Sequence, residues 1–306
     1  MSVPPCDVLR LGSSSPPSRL AVRVAKAYLN LMPAYPGKYL LDPVPFERPE
    51  MEYSDECSEF GFHHFFRHPL EFAGKMVLDL GCGYGGRTVR YKELGSRRVV
   101  GLEVSHAMVT EAEEFARQRR IELEVVTSRG ESLPFADESF DMICAYDVLE
   151  HVENVEATLR ECYRVLRKDG LLYAVFPPFY HPTNGSHFSG YLSRSPFDNV
   201  LFSCRTLLQA AEEIMLERNY TFRLPQLRPA DRLWGMNGIT VGKFLEILRD
   251  VPFANKNVYR DPLLSPLRRG WKRWRMKYYA WPFWIGSKVP IAREMCTHRI
   301  VGELKK

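Results

Sequence analysis

The chain has 306 residues, with a hydrophobic fraction of 45%, a charged fraction of 26% and a formal net charge of +5. These values exclude a disordered or fibrous chain, and the length suits one α/β domain with large insertions. The most apolar stretch, residues 279–291, is broken by Pro282, Gly286, Lys288 and Pro290, so it cannot span a bilayer as a helix. The N-terminus lacks the basic start and apolar core of a secretory signal, so a cytoplasmic location is expected. The seven cysteines are odd in number and scattered, with no CxxC pair, which argues against a disulfide framework, a zinc site or a redox motif.

Residues 1–18, rich in Pro and Ser, read as a flexible tail. Residues 19–74 are expected to form an N-terminal cap. In it Ser18 caps a helix whose Leu20, Val24, Tyr28 and Leu31 recur at helical spacing, and Pro33 and Pro36 end it. The rest of the cap is Pro-rich, then acidic, then aromatic and His-rich, without a clean period. His63, His64 and His68 include an i,i+4 pair suited to a metal on a helix, but no carboxylate or thiol set accompanies them, so packing is the preferred reading.

From residue 75 to 177 strands alternate with helices, which implies a parallel sheet. The expected strands are MVLDL, RVVGLEV, ELEVV, FDMICAY and LLYAVF, with helices to about Leu94, from His106 to Arg119, and over Val155, Leu159, Cys162 and Leu166. Gly170 is expected just past the last of these, in a left-handed conformation. Residues 178–239 form an insertion after the fifth strand, with a helix from Arg205 to Glu217. Its position at a strand's C-terminal end makes it the expected substrate lid. Residues 240–260 resume the core with the helix TVGKFLEILRD and a strand near Asn257 to Arg260. A second insertion, 261–292, is basic and aromatic, and 293–306 supply a final strand.

In VLDLGCGYGG a strand ends at Asp79 and Leu80, and Gly81, Gly83 and Gly85 allow a sharp turn and close ligand approach. The next helix aims its N-terminal amides at that ligand. Glu103 ends the second strand, where a carboxylate can accept hydrogen bonds from two ribose hydroxyls. The same glycines satisfy GxGxxG through Gly81, Gly83 and Gly86, which leaves a dinucleotide-dependent oxidoreductase as an alternative. Against it stands Asp79: a carboxylate there disfavours a pyrophosphate and suits a sulfonium cofactor bearing an amino group.

Taken in order, VLDLGCGYG, GLEVS, ESLPFADESFDMI, DVLEHV and LRKDGLL resemble the class I S-adenosylmethionine-dependent methyltransferases, type 11 group, which includes quinone-ring methylases. The resemblance covers about Val77 to Phe176. It implies a Rossmann-like fold, a mostly parallel seven-stranded sheet with helices on both faces, and S-adenosyl-L-methionine as cofactor. It further implies that Asp79, Gly81 and Gly83, with Cys82 between them, line the methionine and ribose part of the site. Glu103 would bind the ribose, Val104 would pack near the adenine, Gly130 and Glu131 would edge it, and Tyr146 and Asp147 would lie at the pocket. The chain departs from the family at Arg129, where an Asp often holds the adenine amine; an Arg cannot accept that hydrogen bond.

The acceptor implied is a small or lipid-linked molecule, with O- or C-methylation favoured. Such nucleophiles usually need a proton removed, and histidine suits that near neutral pH. His187 and His181 are the catalytic candidates, with Tyr180 as a hydrogen-bonding partner. His151 reads as a structural residue of LEHV. FPPFY at 176–180 resembles the Asn/Asp-Pro-Pro-Tyr/Phe motif of enzymes that methylate exocyclic amines, but it follows the fifth strand and begins with Phe, so nucleic acid is not the expected partner. In residues 264–278, Leu264, Leu267, Trp271, Trp274 and Tyr278 share a helical face and six basic residues occupy the rest. This run either packs as a solvated helix or contacts a membrane surface. A non-catalytic binding protein anchored through it is the other alternative.

Overall fold

A computed structural model describes residues 16–34, 47–58, 61–182, 185, 187–188, 192–219, 236–262, 285–286, 289 and 292–306. The basic aromatic run 264–278 lies outside these residues. The chain divides into two compact units, one of residues 43–176, 245–259 and 300–306, the other of 1–42, 177–244 and 260–299.

The first unit is built on β1 (Met76–Leu80), β2 (Arg98–Glu103), β3 (Glu124–Thr127), β4 (Phe140–Tyr146) and β5 (Leu166–Phe176). The sheet is completed by β6 (Asn255–Pro262) and β7 (Thr297–Lys305), in the order β3-β2-β1-β4-β5-β7-β6. β1 pairs in parallel with β2 and β4, and β4 with β5, whereas β7 runs antiparallel to β5. The strand order reverses between β1 and β4. Right-handed crossovers on either side of that point place helices on both faces and leave a crevice at the C-terminal ends of these two strands.

α3 (Gly86–Glu93) joins β1 to β2, α4 (His106–Gln118) joins β2 to β3, and α5 (Val155–Val165) joins β4 to β5. α4 is capped by Ser105 and α5 by Asn154, each side chain accepting an amide three residues on. Val155, Leu159 and Cys162 are buried along one face of α5, as their spacing requires. The expected left-handed residue after α5 is Asp169, with φ of 65°, not Gly170; Gly170 lies within β5, where an added Cβ would approach the Arg167 carbonyl at 2.9 Å.

The aromatic residues that follow Gly61 pack on the sheet. Phe62, Phe66 and Phe72 are buried with Val77, Cys144, Tyr173 and Val175. The segment forms a 3-10 turn, Phe62–Phe65, that ends before His68, so His64 and His68 do not share an α-helical face. His63 Nδ1 instead lies 3.0 Å from Glu56, and His68 meets the Tyr173 ring. Upstream, the aperiodic residues 47–57 form a helix, α2 (Glu47–Cys57), with Pro49 in its first turn, where a missing amide costs nothing.

The loop carrying ESLPFADES is tied down by Arg164 of α5. Its guanidinium donates to the carbonyls of Leu133 and Phe135 and to Asp137 and Glu161, at 2.8–2.9 Å. Arg164→Ala is expected to cost about 1–3 kcal/mol in urea denaturation, because two carbonyls lose a charged donor together.

In the second unit α1 (Arg19–Leu29) is capped by Ser18 as expected. α6 (Asp198–Leu201), α7 (Cys204–Glu217) and α8 (Val241–Asp250) follow, α8 continuing into the first unit. Val22, Ala25 and Leu29 of α1 are buried with Phe188, Leu207, Ala210 and Ile214. The expected cap 19–74 is thus divided. α1 packs with the insertion after β5, whereas α2 docks on α3 and α4, and Phe62, Phe66 and Phe72 pack on the sheet.

Candidate functional site

The crevice end of β1 is shaped by glycine. Gly81, Gly83 and Gly85 all have positive φ, at 70°, 56° and 80°. A Cβ on Gly81 would overlap Val148, so both the backbone conformation and the space demand glycine. The Gly81 and Cys82 amides donate to the Leu102 carbonyl at 2.7 and 3.0 Å, fixing the turn against β2. Cys82 is buried, with its sulfur facing Gly101, so it offers the crevice only backbone.

Three carboxylates surround this turn. Asp79 is fully buried and accepts from Thr88 Oγ1 at 2.7 Å. Burial pushes its carboxyl up to about 7, against the pull of Thr88 and Arg87. Glu103 ends β2, with Oε2 accepting from the Gly83 amide at 3.2 Å and Oε1 from the Val104 and Ser105 amides at 2.7 and 3.0 Å. These bonds orient the carboxylate and leave one lone-pair site, on Oε2, for a ligand hydroxyl.

The third, Glu52, had no signature of its own in the sequence. It comes from α2, and its two oxygens accept from the Tyr84 amide at 3.2 Å and the Gly86 amide at 3.1 Å. It therefore sits at the N-terminus of α3, the position an anionic ligand would seek. Burial raises its carboxyl above the ordinary range, although Arg87 and the two amides oppose this. α2 is held there by further polar contacts: Arg48 to the Tyr84 hydroxyl, Glu50 to Arg119 at 2.7 Å and Tyr53 to Glu93 at 2.7 Å. The one sequence signal was a proline followed by acidic residues, a helix start without an apolar stripe.

Arg87, in the first turn of α3, lies over the Tyr146 ring at 4.4 Å. Burial works against its charge, but Glu52 and its other neighbours outweigh that and raise its pKa. Tyr146 also meets Phe62 and Phe65. Asp147 follows at φ of 54°, with its amide on the Val175 carbonyl. Val104 is half exposed. Gly130 is buried, with Thr158 3.0 Å from where a Cβ would stand. Glu131 turns to α5, accepting from the Glu153 and Asn154 amides, and Arg129 pairs with Glu153 at 3.1 Å. Asp79, Gly81, Cys82, Gly83, Glu103, Val104, Gly130, Glu131, Tyr146 and Asp147 all belong to the first unit.

Tyr180, His181 and His187 belong to the second. His181 is buried and lies 2.9 Å from His298 Nδ1. Burial, with His298 and Arg299 nearby, lowers its pKa to about 3, so it stays neutral at pH 7 and is a weak base. His187 is half-buried at φ of 58°. His151 is partly exposed, with its amide on the Val148 carbonyl.

The depressed value at His181 has a consequence for stability. Its unfolded pKa is near 6.5, so the stability its neutral form contributes is complete above that pH. It is lost as pH falls towards 3, at up to about 1.4 kcal/mol per unit. Denaturation at pH 7.5 and pH 5 is expected to show this slope, and His181→Gln is expected to flatten it by one proton.

Residues 78–174 match the family model described as Methyltransferase domain. A ubiquinone biosynthesis O-methyltransferase of Agrobacterium fabrum is 35% identical over 118 residues, 39% of this chain and 46% of that protein. A demethylmenaquinone methyltransferase of Lactobacillus johnsonii is 34% identical over 35% of this chain and 45% of its own length. The chain thus spans under half the length of the curated relatives it matches. Among solved structures, an S-adenosylmethionine dependent methyltransferase from Mesorhizobium loti superposes with a TM-score of 0.50 at 18% identity, over 81% of this chain and 97% of that one. That likeness concerns the fold, and the seven-stranded sheet is the Rossmann-like class I arrangement.

Proposed function

From the class I, type 11 methyltransferase domain that residues 78–174 form, we propose that the chain is an S-adenosylmethionine-dependent methyltransferase acting on a small or lipid-linked acceptor. The observation that carries this reading is Glu52 on the Tyr84 and Gly86 amides. A dinucleotide pyrophosphate needs those donors and would have to displace a carboxylate while facing Asp79. A cationic nucleoside meets these carboxylates with attraction. The residues present therefore fit this cofactor and not the dinucleotide of an oxidoreductase.

The cofactor, when bound, supplies a methyl group on a sulfonium already activated for displacement. Glu103, held in orientation by three amides, would accept a hydrogen bond from a ribose hydroxyl. Asp79 would hold the ammonium as a carboxylate, its proton passing to solvent. The tight Gly81–Gly85 turn lets the backbone approach the ligand without a Cβ between them. On the acceptor side, proton removal would fall to His187, since the low pKa that burial gives His181 makes it a weak base. The relatives named for ubiquinone biosynthesis and demethylmenaquinone make a quinone-type phenol or ring carbon the first acceptor to try.

The test is transfer of labelled methyl from S-adenosylmethionine into an extract of bacterial lipids and quinols. Label in the organic phase, reduced by His187→Ala without loss of cofactor binding, is the expected outcome. Binding without any transfer would leave a non-catalytic protein.

A further inference from the structure

Helix α1 is apolar on two sides. Val22, Ala25 and Leu29 face the buried cluster with α7. On the opposite side Leu20, Val24, and Leu31 in the turn after the helix are 72%, 50% and 70% exposed, and Met32 prolongs the line at 53%. Positions 20, 24, 27 and 31 are spaced to form one stripe, and Ala27 within it is exposed as well. A helix that only had to pack on the insertion would carry polar residues there.

The charges beside the stripe have one sign. Arg19 and Arg23 are exposed, and α1 contains no acidic residue. On the wheel both fall on the same flank of the stripe. Lys26, further round, is engaged by Glu213 and Glu217 of α7, so those two carboxylates are already matched.

We infer that the outer face of α1 docks on an anionic lipid surface, with Leu20, Val24 and Leu31 entering the acyl boundary and Arg19 and Arg23 meeting headgroup phosphates. An apolar line edged by arginines is what an interfacial helix presents to such a plane. Self-pairing along the same line would leave Arg19 and Arg23 of each copy facing a helix with no carboxylate to meet them. A lipid-linked acceptor would then be drawn from the surface on which the enzyme rests.

The experiment is co-sedimentation of the full chain with phosphatidylcholine vesicles, with and without phosphatidylglycerol. Three proteins are compared: wild type, Leu20→Ser/Val24→Ser/Leu31→Ser, and Arg19→Gln/Arg23→Gln. Thermal midpoint and S-adenosylhomocysteine binding report that each is folded. Wild type is expected to pellet with the anionic vesicles, the serine variant to bind them about tenfold more weakly, and the glutamine variant to lose the preference for phosphatidylglycerol. The proposal is overturned if wild type ignores anionic vesicles, or if both variants bind as wild type does, which would move the contact to another surface such as residues 264–278. It is equally overturned if light scattering shows a wild-type dimer that the serine variant dissolves, since a second copy would then cover the face. If the serine variant fails to fold, the glutamine variant decides alone. None of these outcomes bears on whether the cofactor binds.

Discussion

Replacing Asp79 with Asn is expected to make the ligand-free protein more stable at pH 8 and to weaken its cofactor binding. Asp79 is buried, and its carboxyl is pushed up to about 7, well above the ordinary value of 3.8. A group raised on folding stabilises while it keeps its proton. That contribution is complete below the unfolded pKa and is lost as pH rises through the folded one. Above pH 7 the wild type therefore holds an ionised carboxylate in a dry place with Thr88 as its hydrogen-bond donor, and Asn removes that cost, worth ~2–4 kcal/mol. Binding moves the other way. An ammonium beside Asp79 lowers its pKa, so wild-type affinity should rise with pH up to about 7, with close to one proton released below that. Asn cannot supply the charge, and affinity should fall by about tenfold to a hundredfold, the worth of one charge-assisted hydrogen bond. Calorimetry in two buffers of different ionisation enthalpy measures the proton directly. A variant that is both less stable and unchanged in binding would mean that the carboxylate is structural.

Gly86→Ala is expected to be the most damaging single methyl addition at the turn. The new Cβ would overlap the Pro49 carbonyl oxygen and stand 2.6 Å from both Glu52 Cβ and the Tyr53 amide nitrogen, two of which are backbone atoms that cannot rotate away. Helix α2 must shift outward, and Glu52 leaves the Tyr84 and Gly86 amides as it goes. Overpacking of this kind costs about 1–3 kcal/mol. Hydrogen exchange over residues 47–57 should speed up in the variant while the β1 and β4 amides stay protected. Gly242→Ala is the control, because a Cβ there has its nearest neighbour at 3.8 Å; it should leave exchange over residues 47–57 unchanged and, lying in α8, raise stability by about 0.4–1 kcal/mol.

Some of this was legible before any coordinates. β4 and α4 fall where their patterns put them, because FDMICAY is a mostly apolar run, buried from Met142 to Ala145, and His106–Gln118 repeats its apolar residues at helical spacing behind a serine cap. The glycine turn and Glu103 were legible for a different reason. A backbone at positive φ admits few residues, and a carboxylate at the end of a strand follows from the geometry of the crossover.

Helix α2 was not legible. It is polar along its length and docks through hydrogen bonds and ion pairs, so it leaves no hydrophobic period to read. Glu52 looked like one acid among several for that reason. Asp169 took the left-handed position expected of Gly170 because β5 begins at once after α5 and needs Gly170 close to the Arg167 carbonyl. The acceptor side is less legible still. Its candidates sit in an insertion whose sequence has no period, and His181 is disqualified as a base by burial, helped by His298, 117 residues away.

On the proposed reading, Asp79 and Glu52 around the glycine turn favour a cationic nucleoside over a dinucleotide, and Glu103 holds its ribose. Titration calorimetry tests it most directly, with S-adenosylmethionine, S-adenosylhomocysteine and NAD injected separately into the wild type and into Glu103→Ala. Both sulfur nucleosides are expected to bind the wild type and to lose at least about tenfold in affinity in Glu103→Ala, with no heat from NAD. Saturable binding of NAD with no response to either sulfur nucleoside would contradict it.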